Sequence, residues 1–116
     1  MLLIDPDERS AKLARVVLEA EGWVVMYVPD LARARELLDH MRPQLIATEL
    51  VPWPGALAAI TELRRVSSLP IIAVTAVAGP ELEQRARAAG CSGLIGKPIT
   101  VATFAAELAA YLGGLT

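Results

Sequence analysis

The sequence lacks several features that would point to particular classes of protein. It has a single cysteine, Cys91, which excludes an internal disulfide and a metal site built from several cysteines. It has no apolar run of bilayer-spanning length, and its N-terminus lacks the charged region of a signal peptide. We therefore expect a domain without membrane contact, and the cysteine content fits a location in the reducing cytoplasm.

Basic residues are not in excess either. The formal net charge is −2, and acidic and basic residues are interspersed without a basic stripe, so direct nucleic-acid contact has no electrostatic support. Apolar residues make up 54% of the chain and charged residues 21%, which indicates a globular chain. A length of 116 residues suits one domain, with residues 113–116 as the candidate start of a linker.

Short apolar runs alternate with helical patterns along the whole chain. The apolar runs predict strands at residues 2–4, 23–28, 45–49, 71–75 and 92–96. The patterns that follow them predict helices at about residues 6–21, 29–41, 56–66, 79–89 and 100–112. Uniformly apolar strands are typical of a sheet covered on both faces. The alternation therefore predicts an α/β domain with a doubly wound, five-stranded parallel sheet and five helices.

Two expectations concern the first helix. Asp5 suits the N-cap position, with Pro6 at the first helical position and Glu8 at the third, which is a capping-box arrangement. This capping role is compatible with a further role of Asp5 in a site. The apolar periodicity predicts that the core-facing residues are Leu13, Val16, Val17 and Ala20.

Polar side chains follow the predicted strands where open parallel sheets bind ligands. They are Asp5 and Asp7 after the first strand, Glu49 after the third, Thr75 after the fourth and Lys97 after the fifth. Because the carboxyl ends of parallel strands meet at one edge, we expect these side chains to converge. Carboxylates there could hold a hard cation, and a hydroxyl and an ammonium could bind an oxyanion.

These residues and their surroundings resemble the receiver domains of two-component response regulators. The resemblance covers essentially the whole chain and rests on residues 3–5, 43–49, 70–76 and 88–98. It implies a flavodoxin-like fold with strand order 2-1-3-4-5, a signalling function and no enzymatic activity. In that family, acids after the first strand and an aspartate after the third bind Mg²⁺. The aspartate accepts a phosphoryl group from a histidine kinase, and a Thr and a Lys contact the phosphoryl oxygens.

The match to that site is incomplete. The resemblance assigns Asp5 to the acidic pair and makes Thr75 and Lys97 phosphate-contact positions. Three residues depart from the family pattern. Pro6 stands in place of the second acid, Glu49 in place of the phosphoacceptor aspartate, and Leu94 in place of the aromatic residue that reports phosphorylation.

The departures predict a degenerate phosphorylation site without catalytic residues. Asp5 and Asp7 form a vestigial acidic pocket, and Asp5 with Glu49 gives at most weak Mg²⁺ binding, because Mg²⁺ demands near-ideal octahedral geometry. Glutamate also moves the acceptor oxygen by about one bond length, and an error of about 1 Å costs on the order of 100-fold in rate. We expect Glu49 and Lys97 to form a structural ion pair instead.

The resemblance implies a protein partner or an attached output domain, and a candidate homodimer through helix four, strand five and helix five. Two alternatives remain open. One is a phosphorylatable receiver of a histidine-kinase phosphorelay, in which Asp7 stands in for the lost acid. The other is a small flavodoxin-like ligand-binding or enzymatic domain, although no glycine-rich phosphate loop follows the first strand.

Overall fold

Five short strands form the centre of the structure, a computed structural model that describes residues 1–77 and 79–115, without the side chains of residues 53, 54 and 113–115. They are β1 (Leu2–Ile4), β2 (Met26–Val28), β3 (Ile46–Thr48), β4 (Ile71–Thr75) and β5 (Gly93–Gly96). All neighbouring strands pair in parallel, in the order β2-β1-β3-β4-β5. The predicted parallel sheet and its strand order are confirmed.

Helices cover both faces of the sheet, as predicted. They are α1 (Glu8–Ala20), α2 (Leu31–His40), α3 (Trp53–Val66), α4 (Pro80–Ala89) and α5 (Phe104–Ala109), which a 3-10 helix (Ala110–Leu115) continues. The linker suggested for residues 113–116 stays a prediction, and Thr116 lies outside the described residues. None of the helices in the described part of the chain is long and apolar enough to span a bilayer.

Each face of the sheet has its own apolar core, because successive strand residues point to opposite faces. On one face, Leu3 and Ile72 pack with Leu18 of α1 and Phe104 of α5. On the other face, the core residues from the strands and from α2, α3 and α4 include Ile4, Ala34, Ile46, Ile60 and Ala86. The carboxyl edge of the sheet therefore lies between two packed layers.

The N-terminus of α1 differs from the sequence prediction. Asp7 is the N-cap, and its Oδ1 accepts the backbone N–H groups of Arg9 and Ser10. The N-cap assignment of Asp5 was wrong, because Asp5 instead forms a turn in which its Oδ1 accepts the backbone N–H of Asp7 at 2.9 Å. Aspartate commonly bonds its own backbone two residues on, and the proline between the two aspartates favours such a turn.

The core-facing side of α1 was also predicted incorrectly. Its buried residues are Ala11, Ala14, Val17 and Leu18. Of the residues assigned to the core, only Val17 is buried, whereas Leu13, Val16 and Ala20 are exposed. Apolar residues occupy more than one stripe of this helix, so periodicity alone did not choose between them. The stripe with two alanines faces the sheet, where small side chains permit close packing.

Other element boundaries shift by a few residues. α3 begins at Trp53 rather than at residue 56, since a proline in the first turn costs no helical hydrogen bond. α5 begins at Phe104 rather than at residue 100, and Thr100 O instead accepts the N–H groups of Thr103 and Phe104 in a turn. The second strand is shorter than predicted, since it spans Met26–Val28 rather than residues 23–28.

Arg64 of α3 connects its own helix with the end of α4 and with the segment that precedes β4. Its Nε and Nη2 donate to Gly90 O at 3.2 and 2.7 Å, and its Nη1 donates to Ser67 O and Leu69 O at 3.1 and 2.8 Å. Gly90 ends α4 with a φ of +130°, and a Cβ there would lie 2.9 Å from the Cβ of Arg64. Glycine at this position therefore permits both the backbone conformation and the close approach of α4 to α3.

Arg64→Ala is expected to lower the free energy of unfolding by about 2–4 kcal/mol, because three carbonyl groups lose a charged donor. Urea unfolding followed by circular dichroism measures this loss. Arg65→Ala, at an exposed position one residue further along α3, is the control and should change stability by less than about 0.5 kcal/mol. Equal losses in the two variants would contradict the role assigned to Arg64.

Candidate functional site

The strands place four polar residues at the carboxyl edge of the sheet. Asp5, Glu49 and Lys97 directly follow β1, β3 and β5, and Thr75 is the last residue of β4. The backbone N–H of Glu49 donates to Ile4 O at 3.0 Å, and that of Lys97 donates to Thr75 O at 2.9 Å. Because the strand pairing extends to these residues, the sheet itself fixes the positions from which the side chains project.

Lys97 joins the two carboxylates of this edge. Its Nζ lies 3.0 Å from Oδ2 of Asp5 and 2.8 Å from Oε1 of Glu49. The side chains of Lys97, Asp5 and Glu49 are 17%, 4% and 10% exposed. The ion pair predicted between Glu49 and Lys97 is confirmed, and Asp5 extends it to a group of three, which we call the ion-pair cluster.

Backbone donors hold the remaining carboxylate oxygens of the ion-pair cluster. Oδ1 of Asp5 accepts the N–H of Asp7, and Oε2 of Glu49 accepts the N–H of Leu50. The hydroxyl of Tyr27 donates to the backbone oxygen of Asp5 at 2.7 Å and fixes the turn after β1. Each carboxylate oxygen thus has a protein donor, and the cluster keeps one net negative charge.

The ion-pair cluster also keeps Lys97 protonated. Burial by itself lowers the pKa of Lys97, but hydrogen bonds to Glu49 and Asp5, together with their charges, outweigh that effect. The pKa of Lys97 is therefore raised above its ordinary value of 10.5. At neutral pH the cluster is an ammonium between two carboxylates.

A mainly apolar cavity of about 210 Å³ lies beside the ion-pair cluster. Besides the cluster, its wall consists of Leu3, Ser10, Leu13, Ala14, Val74, Pro98 and Ile99. Apolar surroundings reduce the local dielectric and strengthen the attraction between the charges. Sequence reasoning missed this wall, because its residues come from α1, two strands and the chain after β5. A larger open hollow of about 560 Å³ lies at the amino edge, away from these charges.

The other residues predicted for the site lie outside the ion-pair cluster. Thr75 is buried, and its Oγ1 accepts the N–H of Val77 at 3.2 Å. Asp7 is exposed and caps α1. Leu94 is partly buried and packs on the core that includes α4. The structure therefore brings Asp5, Glu49 and Lys97 together but does not bring the side chains of Asp7 or Leu94 into contact with them.

An aromatic ring does lie next to β5, although Leu94 is not aromatic. Tyr111, in the 3-10 helix after α5, packs so closely on Gly93 that a Cβ there would overlap its ring. Tyr111 belongs to the core between the sheet, α1 and α5, whereas Leu94 packs on the opposite core. The glycine at residue 93 was the sequence signal for this contact, since glycine in a strand often marks a close approach.

Comparison with known proteins identifies the family. The family model of the response regulator receiver domain matches residues 1–109. The chain belongs to the response-regulator receiver family. Its relatives include the polar-differentiation response regulator DivK of Brucella anthropi, 32% identical over 117 residues, which cover 97% of this chain and 95% of that protein. DivK of Brucella ovis is 33% identical over 123 residues, with the same coverage. This receiver is thus a domain of two-component signalling.

Solved receiver structures share the fold. A two-component response regulator from Clostridium difficile superposes with a TM-score of 0.89 at 21% identity, over 99% of this chain and 96% of that chain. A response regulator from Thermotoga maritima gives a TM-score of 0.89 at 16% identity, over 97% and 95% of the two chains. At these identities the likeness shows the fold alone, and it confirms the flavodoxin-like receiver fold expected from the sequence.

The residues of this receiver do not fit the Mg²⁺ site that the family implies. Asp5 and Glu49 are the carboxylates that could supply oxygen ligands, but the ammonium of Lys97 bonds to both of them. Among the residues that the structure describes, no group of three or more His, Cys, Asp or Glu side chains surrounds a common metal position. An octahedral Mg²⁺ would need those oxygens free and more of them.

Lys97→Met is expected to lower the free energy of unfolding by about 3 kcal/mol at neutral pH, because two partly buried carboxylates lose their counter-charge. Lys12→Met, at the only other lysine of the sequence and an exposed position, is the control and should change stability by less than about 0.5 kcal/mol in dilute solution. Chemical unfolding of both variants measures the difference.

The stability that Lys97 contributes can also be tested at alkaline pH. A raised pKa in the folded state means that the contribution of Lys97 is complete below pH 10.5 and is lost as the pH rises through the folded-state value. The stability advantage of the wild type over Lys97→Met should therefore shrink at alkaline pH. An advantage that stays constant there would contradict the ion-pair cluster as its source.

Proposed function

We propose that this receiver domain transmits its signal through contact with a protein partner and without being phosphorylated itself. The observation that carries the proposal is the state of Glu49, which stands at the phosphoacceptor position. Lys97 binds one of its carboxylate oxygens, and the backbone N–H of Leu50 binds the other. Receivers are in general signalling modules rather than enzymes, and we propose no catalytic activity for this one.

A phosphoacceptor needs a carboxylate oxygen that is free to attack phosphorus. Both oxygens of Glu49 already have donors, and the side chain is only 10% exposed. Its extra methylene also moves the oxygens by about one bond length from where an aspartate would present them, which costs on the order of 100-fold in rate for an error of about 1 Å. These features argue against useful phosphotransfer to Glu49.

The oxygen atoms that could bind Mg²⁺ are also engaged by other groups. Pro6 offers no ligand in place of an acid, and Oδ1 of Asp7 already caps α1 through two backbone N–H groups. Asp5 and Glu49 remain, with the ammonium of Lys97 bonded to both. We propose that any Mg²⁺ binding at Asp5 and Glu49 is weak, because the cation would have to displace Lys97 and complete an octahedron largely from water.

The ion-pair cluster then has a structural role in signalling. It ties together the segments that follow β1, β3 and β5, so the carboxyl edge is held in one arrangement without a phosphoryl group. Charge does not make Glu49 a phosphate mimic, because replacing aspartate by glutamate adds no charge, whereas a phosphate adds about −1.5 to −2. The proposed output is therefore a constant surface for recognition rather than a phosphorylation-dependent switch.

The partner class follows from the same reasoning. We propose a protein partner or an attached output domain, in the cytoplasm and without direct contact to nucleic acid, since the chain has interspersed charges and a net charge of −2. The homodimer predicted through α4, β5 and α5 stays a prediction. The family and its two-component relatives argue against the small flavodoxin-like ligand-binding domain.

A phosphorylatable receiver is the second candidate, and one observation favours it. Thr75 and Lys97 occupy adjacent positions at the carboxyl edge, where the backbone N–H of Lys97 donates to Thr75 O. A phosphoryl group at that edge would therefore find a hydroxyl and an ammonium nearby. This candidate requires Glu49 to leave Lys97 and Asp7 to leave the cap of α1.

Acetyl phosphate labelling separates the two candidates. The wild-type protein, incubated with acetyl phosphate and Mg²⁺, is expected to show no adduct of about 80 Da per chain in its intact mass. The double variant Pro6→Asp, Glu49→Asp restores the missing acid and the shorter acceptor, and it is expected to gain the adduct. Labelling of the double variant would show that the reagent is active and that it reaches the carboxyl edge of the sheet.

The contrary result is an adduct on the wild type that disappears in Glu49→Gln. That outcome would establish the phosphorylatable receiver and reject the proposed function. A wild type without an adduct, beside a labelled double variant, would support the proposal.

A further inference from the structure

The outer side of α1 carries a stripe centred on Leu13 and Val16, whose side chains the described residues leave about half exposed. Leu13 and Val16 are 50% and 57% exposed, and the charged Arg9 and the small Ala20 continue the same line at its two ends as exposed residues. The spacings along this stripe are four, three and four residues, which is the heptad pattern by which two helices pack along a common seam. Leu13, Val16 and Ala20 of this stripe are among the residues that sequence periodicity assigned to the core.

Charged residues beside this stripe are complementary to those of a second copy. Lys12 and Glu19 are exposed, lie seven residues apart and occupy the same flank of the seam. Neither forms an ion pair with any residue that the structure describes. When two copies of this helix pack antiparallel, the flank of one helix lies against the same flank of the other, with the chain directions opposed. Lys12 of each chain then lies next to Glu19 of the other chain.

A buried donor on the same flank lacks an acceptor. Nε of Arg15 is buried and has no hydrogen-bond partner among the described residues. Arg15 lines a hollow together with Glu8, Ala11, Lys12, Val16, Glu19 and Tyr27. The Glu19 of a second copy would enter this hollow between Lys12 and Arg15. Because buried polar atoms are normally hydrogen-bonded, an acceptor that reaches the guanidinium of Arg15 from this hollow would be favoured.

We propose that the outer face of α1 binds a second copy of this chain, with the two α1 helices antiparallel. Leu13 of one copy packs against Val16 of the other, and Lys12 pairs with Glu19 on both sides of a two-fold axis. The contact is isologous, so it closes at a dimer. It extends beyond the proposed function, because it depends on neither phosphorylation nor the ion-pair cluster.

The charges of α4 contrast with those of α1. Arg85 and Arg87 of α4 pair within the helix with Glu81 and Glu83, at 2.9 and 3.2 Å. These groups gain less from a partner than the unpaired Lys12 and Glu19 of α1. The structure therefore favours α1 over the predicted surface of α4, β5 and α5 for self-association. A single helix pair buries a small area, so we expect a dissociation constant on the order of 10–100 μM.

Sedimentation velocity over a range of concentrations measures this association. The wild-type chain is expected to convert from monomer to dimer as its concentration rises, and Val16→Glu should remove the dimer because it places charge in the seam. Val66→Glu is the matched control, since Val66 of α3 is equally exposed at 56%, and it should keep the wild-type behaviour. Circular dichroism of each variant checks that the fold is intact.

Charge reversal tests the antiparallel pairing. Lys12→Glu and Glu19→Lys should each weaken self-association at least tenfold, because each places like charges opposite one another. Mixing the two variants should recover association, since the glutamate introduced in one chain then faces the lysine introduced in the other. A wild type that stays monomeric up to millimolar concentration would overturn the proposal. So would a dimer that survives Val16→Glu but is lost in Ala88→Glu on α4, or variants that fail to associate when mixed.

Discussion

The bonds of Lys97 to Asp5 and Glu49 are the interaction on which the functional edge of this receiver depends. Three parallel strands end there, and the residues after them would otherwise leave two carboxylates facing each other at a partly buried edge. The ammonium removes that repulsion, and the backbone N–H groups of Asp7 and Leu50 satisfy the remaining oxygens. Bonds within the chain thus engage all four carboxylate oxygens of the edge.

The same arrangement is the basis of the proposal that this receiver acts without being phosphorylated. A cation or a phosphoryl group needs free carboxylate oxygens and a mobile lysine, and the ion-pair cluster engages both. The change from aspartate to glutamate matters chiefly for reach, because the longer side chain spans to Lys97 and folds back to the N–H of Leu50. In the structure these contacts occupy the carboxylate oxygens that a ligand of this edge would need.

α1 carries apolar residues on two sides, one packed in the core and the other at the surface. Ala14 and Leu18 pack inward, while Leu13 and Val16 remain at the surface beside Lys12 and Glu19, which form no ion pair with the part of the chain that the structure describes. Burial against the sheet selects the stripe with the small residues, because the sheet admits a helix most closely there. The other stripe is then available for contact with another chain.

The sequence by itself determined the alternation of strands and helices and the residues at the carboxyl edge, because short apolar runs and helix signals are local properties. The strand order followed from the resemblance to receiver domains rather than from the local pattern. It also indicated the pairing of Glu49 with Lys97, since parallel strands must end together. Only the tertiary structure decided that Asp5 joins that pair rather than capping α1, which stripe of α1 is buried, and that Tyr111 lies over Gly93. Each of these depends on which groups of the folded chain take the same space or the same hydrogen-bond donors, and only the contact of Tyr111 had a local sequence signal, the glycine at residue 93.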